Sequence, residues 1–133
     1  MCIFAVGKIE QIRDDGKIHF CKLFKDNRCL FDDFVNSISK NKIDEKKLKS
    51  IYACMDFMAE NDSTLPVNKF NSIKKGKNVI GYEFKKDDLR VYCVKKEPNV
   101  IVILGGYKKN QEQDIDKFIR LINDAQSYFD ELS

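Results

Sequence analysis

The sequence predicts an α+β domain, an antiparallel sheet with helices packed on it. Three observations carry this. Apolar residues alternate in two runs near the N-terminus and three nearer the C-terminus. They recur at three- and four-residue spacing in two central stretches and in the last twenty residues or so. The connections between the last three alternating runs, "KKDD" and "KKEPN", are short and polar, as an antiparallel meander requires. The predicted layout is two strands, two helices, three strands and a helix, in a single domain over residues 1–133.

Each element has its own warrant. "IFAVGKIEQIRDDGKIHFCKLF" holds two alternating runs on either side of Asp15-Gly16, which predicts a hairpin over about residues 3–24. Phe31, Phe34, Val35 and Ile38 share one face of a short helix. Asp44 reads as the N-cap of a longer helix with Leu48, Ile51, Tyr52, Met55 and Met58 on one side. "STLPVNKFNSIKKGKN" has little periodicity and is expected to be a linker. Strands are expected at Val79 to Phe84, Leu89 to Val94 and Val100 to Tyr107. Ile115, Phe118, Ile119, Ile122, Ala125 and Phe129 mark a C-terminal helix starting near Asp114.

Composition bounds the function classes. Apolar residues make up 43% and charged residues 34%, the balance of an ordinary globular chain long enough to bury a core. The longest uncharged apolar stretch, Val100 to Tyr107, is far too short to span a bilayer, so no membrane role is expected. "MCIFAVGK" lacks a basic n-region and a long apolar segment, so no signal peptide is expected. Cys2, Cys21, Cys29, Cys54 and Cys93 are odd in number and scattered, which fits free thiols in a reducing cytoplasm. His19 is the only histidine, and no metal site or cofactor is expected.

The net charge of +3 is unevenly spread. Residues 74–109 carry ten Lys/Arg against four Asp/Glu, and residues 110–133 carry two against six. The first segment is a basic block that suits a polyanion partner. A set of solvated hairpin turns gives the same pattern, so charge alone decides nothing.

"NVIVILGGYKKN", residues 99–110, sharpens the question, because the most apolar run in the chain ends on two glycines, a tyrosine and two lysines. On the preceding strand, alternation puts Leu89, Val91 and Cys93 on one face and Arg90, Tyr92 and Val94 on the other. If helices cover the first face, Arg90 and Tyr92 project from the second. Gly105 and Gly106 leave room for something to approach the backbone. Lys85, Lys86, Lys95, Lys96, Lys108 and Lys109 border the same sheet. Such a face suits single-stranded RNA, with cations on phosphates and rings stacking on bases. The competing reading is that Tyr92 and Tyr107 are half-buried strand residues and Arg90 pairs with Glu83.

The span "VIGYEFKKDDLRVYCVKKEPNVIVILGGYKKN", followed by an amphipathic helix and preceded by a helical pair from "FDDFVNSI", resembles the RelE/HigB class of bacterial toxins. The likeness is to the phage-derived HigB-like branch of the RelE/ParE superfamily, and it covers about residues 18–130. It implies a microbial-ribonuclease-like sheet with two N-terminal helices and a C-terminal helix. It implies a cytoplasmic toxin of a type II toxin-antitoxin system, a metal-independent endoribonuclease that cuts mRNA on the ribosome. A cognate antitoxin protein would neutralise it. In such an enzyme a ribose 2′-OH attacks the adjacent phosphate, and basic side chains stabilise the developing charge. Carried over, Arg90 would contact the scissile phosphate, with Lys108, Lys109 and Tyr107 completing the catalytic set. Lys85, Lys86, Tyr92, Lys95 and Lys96 would bind RNA.

The chain departs from that pattern in places. "NQEQD" follows the lysine pair where the branch often has a Thr/Gln- and Pro-containing stretch, and His19 lies in the first hairpin, away from the expected site. The same fold class serves ParE-type toxins, which bind gyrase and cleave nothing. A plain RNA-binding module is the third alternative.

Overall fold

The computed structural model describes residues 2–61 and 69–132. Six strands form one sheet: β1 (Phe4–Lys8), β2 (His19–Lys25), β3 (Phe70–Lys75), β4 (Asn78–Lys86), β5 (Leu89–Lys96) and β6 (Asn99–Tyr107). Their order across the sheet is β1-β2-β6-β5-β4-β3. All neighbours are antiparallel except β2 and β6, which run parallel from His19 opposite Asn99 to Lys22 opposite Val102. The expected all-antiparallel sheet is therefore corrected to a mixed one. The helices α1 (Leu30–Ile38) and α2 (Lys42–Asn61) follow β2 and carry the chain across before the last four strands bring it back beside β2. The C-terminal helix is broken at Ala125 into α3 (Gln111–Asp124) and α4 (Gln126–Leu132), and no helix among the described residues is long and apolar enough to cross a membrane.

Both faces of the sheet are covered. On one, Phe20, Phe84, Leu89, Val91, Cys93, Val100 and Val102 pack against Phe31, Phe34, Ile51, Met55 and Met58 of α1 and α2. On the other, Leu23, Tyr92, Val94, Ile101 and Ile103 pack against Phe118 of α3, Phe129 of α4 and Ala125 between them. The expectation that Arg90 and Tyr92 look out from an open face fails for this reason. The signal was present: "VIVIL" is a continuous apolar run, and a strand buried on both faces reads that way.

The glycines of β6 serve this double covering. A Cβ at Gly105 would overlap the Phe34 ring of α1, and one at Gly106 would overlap the Asp114 carboxylate of α3. What approaches this backbone is the protein's own helices, one on each side.

Three local readings change. β1 and β2 pair from Phe4–Lys25 to Lys8–Cys21, so a ten-residue loop, not a tight turn at Asp15-Gly16, connects them. That loop sends Ile9 and Ile12 into the core, and Gly16 lies against the Ala59 carbonyl near the end of α2, where a side chain would clash. Asn41, rather than Asp44, caps α2, its side-chain oxygen accepting from the N–H groups of Ile43 and Asp44 at 3.1 Å. The expected linker contains strand β3 from Phe70, while its residues 63–68 lie outside the described part.

Candidate functional site

Strand register brings part of the expected site together at one end of the sheet. Leu89 is opposite Tyr107, Arg90 is opposite both Lys85 and Gly106, and Lys86 is opposite Leu89. The chain leaves β6 through a single 3-10 turn, Lys108–Asn110, in which both lysines are exposed. Lys85, Lys86, Tyr107, Lys108 and Lys109 therefore share one end. Lys95 and Lys96 do not, because they sit opposite Val100 and Asn99 at the far end of β5. There Lys95 Nζ lies 4.4 Å from the Tyr82 ring centroid and 5.4 Å from that of Phe70, and Lys96 Nζ lies 5.8 Å from that of Phe129. These two lysines cap the core's aromatic residues.

Register also separates Tyr107 from Arg90. Adjacent positions across the pair project to opposite faces, and Tyr107 falls on the α1/α2 side. Its ring meets Phe34 edge-on at 5.7 Å, and its hydroxyl donates to Asp44 Oδ2 at 2.6 Å. Asp44 is 6% exposed, in the first turn of α2. Its other oxygen is 3.7 Å from Lys47 Nζ, which in turn reaches Asp88 Oδ1 at 2.6 Å. Lys109 Nζ stands 5.9 Å from the Tyr107 ring centroid. The contacts thus run Lys109, Tyr107, Asp44, Lys47, Asp88.

Hydrogen bonding to the Asp44 carboxylate, with burial second, pushes the Tyr107 phenol up to about 12. Tyr107 therefore keeps its proton at neutral pH and commits it to Asp44. The Lys47 ammonium holds the Asp88 carboxyl below its ordinary value. The sequence did not reveal Asp44 or Lys47 as members of the site. Asp44 has the look of a cap, and only the fold brings α2 to the end of β6.

On the opposite face, Arg90 is 7% exposed and Tyr92 fully buried. Arg90 Nη1 donates to the carbonyls of Asp87 at 2.8 Å and Leu89 at 2.9 Å. The Asp88 carbonyl of the same turn accepts the Lys108 N–H at 2.7 Å. Arg90 thus holds the β4–β5 turn, and that turn holds the start of the lysine pair. Glu83 takes its bond from Gln111 Nε2 at 2.9 Å, so the alternative pairing of Arg90 with Glu83 is not formed either. Arg90 Nε and the Tyr92 hydroxyl are buried without a hydrogen-bond partner among the described residues. Burial raises the pKa of Asp114 of α3, whose carboxylate lies against Gly106, and of Tyr92. Burial keeps Arg90 and Tyr92 from direct contact with a phosphate or a base.

Among the described residues, no group of three or more His, Cys, Asp or Glu side chains could hold a metal ion. Comparison with models of known protein families, with curated proteins and with solved structures finds no match for this chain.

Proposed function

We propose that the protein is a RelE/HigB-type toxin that engages messenger RNA on the ribosome through the lysine-rich end of the sheet. The observation that carries this reading is the convergence of Tyr107, Lys108, Lys109, Lys85 and Lys86 at the exit of β6. The chain order, with two strands, two helices, a four-stranded antiparallel meander and a broken C-terminal helix, is compatible with the α+β class that the sequence resemblance implies.

In this reading the two exposed lysines face the phosphate that a neighbouring 2′-OH attacks, and stabilise the charge on its oxygens. The bond to the next nucleotide's 5′-oxygen breaks as the 2′-OH proton passes to solvent, and the leaving oxygen takes a proton from solvent. Tyr107 lies beside them with its proton fixed on Asp44, placed to accept a hydrogen bond from a ribose or a base. Arg90 acts from beneath, as a positioning residue for the turn that anchors Lys108. The cognate antitoxin and the ribosome-bound message are the proposed partners.

The second reading is an RNA-binding module without chemistry. Burial of Arg90 and Tyr92 favours it, because the accessible set is then lysines and one neutral phenol. One assay separates the two. Purified protein is incubated with translating ribosomes, and message ends are mapped by primer extension. New ends that disappear with Lys108→Ala plus Lys109→Ala support the toxin. Intact message with retained RNA binding supports the module. Intact message with inhibited gyrase supercoiling moves the assignment to a ParE-type toxin.

A further inference from the structure

A groove lies on the α3 side of the sheet, on the face opposite the one that Tyr107 packs on. The groove there has a volume of about 340 Å³ and is walled by β2, the turn after it, and α3. Leu23, Leu30 and Leu121 form its floor. Lys25 and Arg28 stand on one wall, and Lys117 and Arg120 on the other. Asp124 is the single acidic residue lining it.

The groove is a constructed feature. Lys117, Arg120, Leu121 and Asp124 recur at i, i+3, i+4 and i+7, so one stripe of α3 supplies one wall. The other wall depends on a two-residue turn in which Asp26 and Asn27 adopt φ of 52° and 67°. Reciprocal backbone bonds of 2.8 and 3.0 Å between Lys25 and Arg28 close that turn. The Asp26 N–H further donates to the Ile3 carbonyl at 2.7 Å, fixing the turn to the edge strand.

We propose that this groove docks an acidic, leucine-bearing peptide segment of a partner protein. Charge complementarity selects the acidic character. Among the described residues, Lys117 and Arg120 form no side-chain hydrogen bond or ion pair. Lys25 and Arg28 are neutralised by protein carboxylates, Asp124 at 3.4 Å and Asp33 at 2.8 Å, which an incoming carboxylate can replace. The arrangement of the cations selects a peptide over a lone anion. They stand on two walls with an apolar floor between them, so carboxylates on either side of a buried leucine meet all four. The volume suits one or two aliphatic side chains.

The test uses the full chain and a short fluorescein-labelled peptide with two leucines three positions apart, each flanked by glutamates. Anisotropy should show binding that weakens with salt, and the same peptide with lysines for glutamates should not bind. Lys117→Glu with Arg120→Glu should weaken binding by about tenfold or more. Both residues are exposed, so the melting temperature should hold and ribosome-dependent cleavage should be unchanged. Methyl signals of Leu23, Leu30 and Leu121 should shift on titration. No binding, equal binding by the double variant, or methyl shifts confined elsewhere would overturn the proposal. Displacement by inorganic phosphate beyond a chloride control of equal ionic strength would also overturn it, in favour of a small-anion site.

Discussion

Tyr107 and Asp44 are joined by a 2.6 Å hydrogen bond across 63 residues of sequence, tying the exit of β6 to the first turn of α2. The bond fixes the aromatic neighbour of Lys109 and satisfies a buried carboxylate at the same time. Tyr107→Phe should therefore leave Asp44 under-satisfied and cost about 1–3 kcal/mol of stability. Urea denaturation measures this, and an unchanged midpoint would mean that Lys47 alone suffices for Asp44.

The same bond predicts a pH dependence. The folded pKa of Tyr107, about 12, lies above its ordinary value of 10.0. The folded state thus holds the proton more tightly than the unfolded one. The associated stability is complete below pH 10 and is lost as pH rises from 10 through 12. Tyr52, Tyr92 and Tyr128 are shifted the same way, so the informative quantity is the difference between the wild type and Tyr107→Phe over that window. That difference should narrow as pH rises.

Arg90→Ala should destabilise the fold by about 2–3 kcal/mol, because it removes a buried guanidinium bonded to two carbonyls. Its effect on RNA should follow from disorder in the β4–β5 turn and so be partly rescued by low temperature. A variant of wild-type stability with abolished cleavage would instead place Arg90 at the phosphate.

The two lysine pairs should separate cleanly. Lys108→Ala with Lys109→Ala should keep the fold and lower the salt dependence of RNA binding by about 0.7 for each phosphate that is no longer neutralised. Cleavage should fall by about 10²-fold or more for each charge-stabilising group removed. Lys95→Ala with Lys96→Ala should leave RNA binding near wild type and cost about 0.5–1 kcal/mol each, because the cation–ring attraction is absent. Equal effects of the two pairs on binding would mean that RNA runs the length of the sheet.

Gly105→Ala tests the packing of α1. The added methyl meets the Phe34 ring, and overpacking of this kind costs about 1–3 kcal/mol. Phe34 also abuts Tyr107, so the variant should shift the Tyr107 ring resonances, and their invariance would refute that coupling.

Much of the architecture is legible in the chain, and the failures have one physical origin. Phe31, Phe34 and Ile38 of α1, and the five apolar residues assigned to α2, are buried, because helical periodicity reports a one-sided apolar stripe directly. The last three strands fall within two residues of their expected boundaries. Periodicity does not say which strands meet. It leaves the parallel partnership of β2 with β6 invisible, and β3 hidden in a polar segment at the sheet edge. The site suffers for the same reason. Tyr107, Lys108 and Lys109 can be singled out because they are consecutive, whereas Asp44 and Lys47 join them only through tertiary structure. Alternation puts Arg90 and Tyr92 on the right face of β5, but that face belongs to α3.

The placement of β6 bears on when the molecule exists at all. β6 is the last of the described strands along the chain, yet it is the one that bonds both halves of the sheet, β2 on one side and β5 on the other. Before it is synthesised, the nascent chain can form only two separate antiparallel ribbons, β1 with β2 and β3 with β4 and β5. Pairings so distant in sequence form late and hold back folding. Tyr107, Lys108 and Lys109 stand at the end of that closing strand, so the lysine-rich surface and the sheet that carries it come into being together. A chain still emerging during translation has neither.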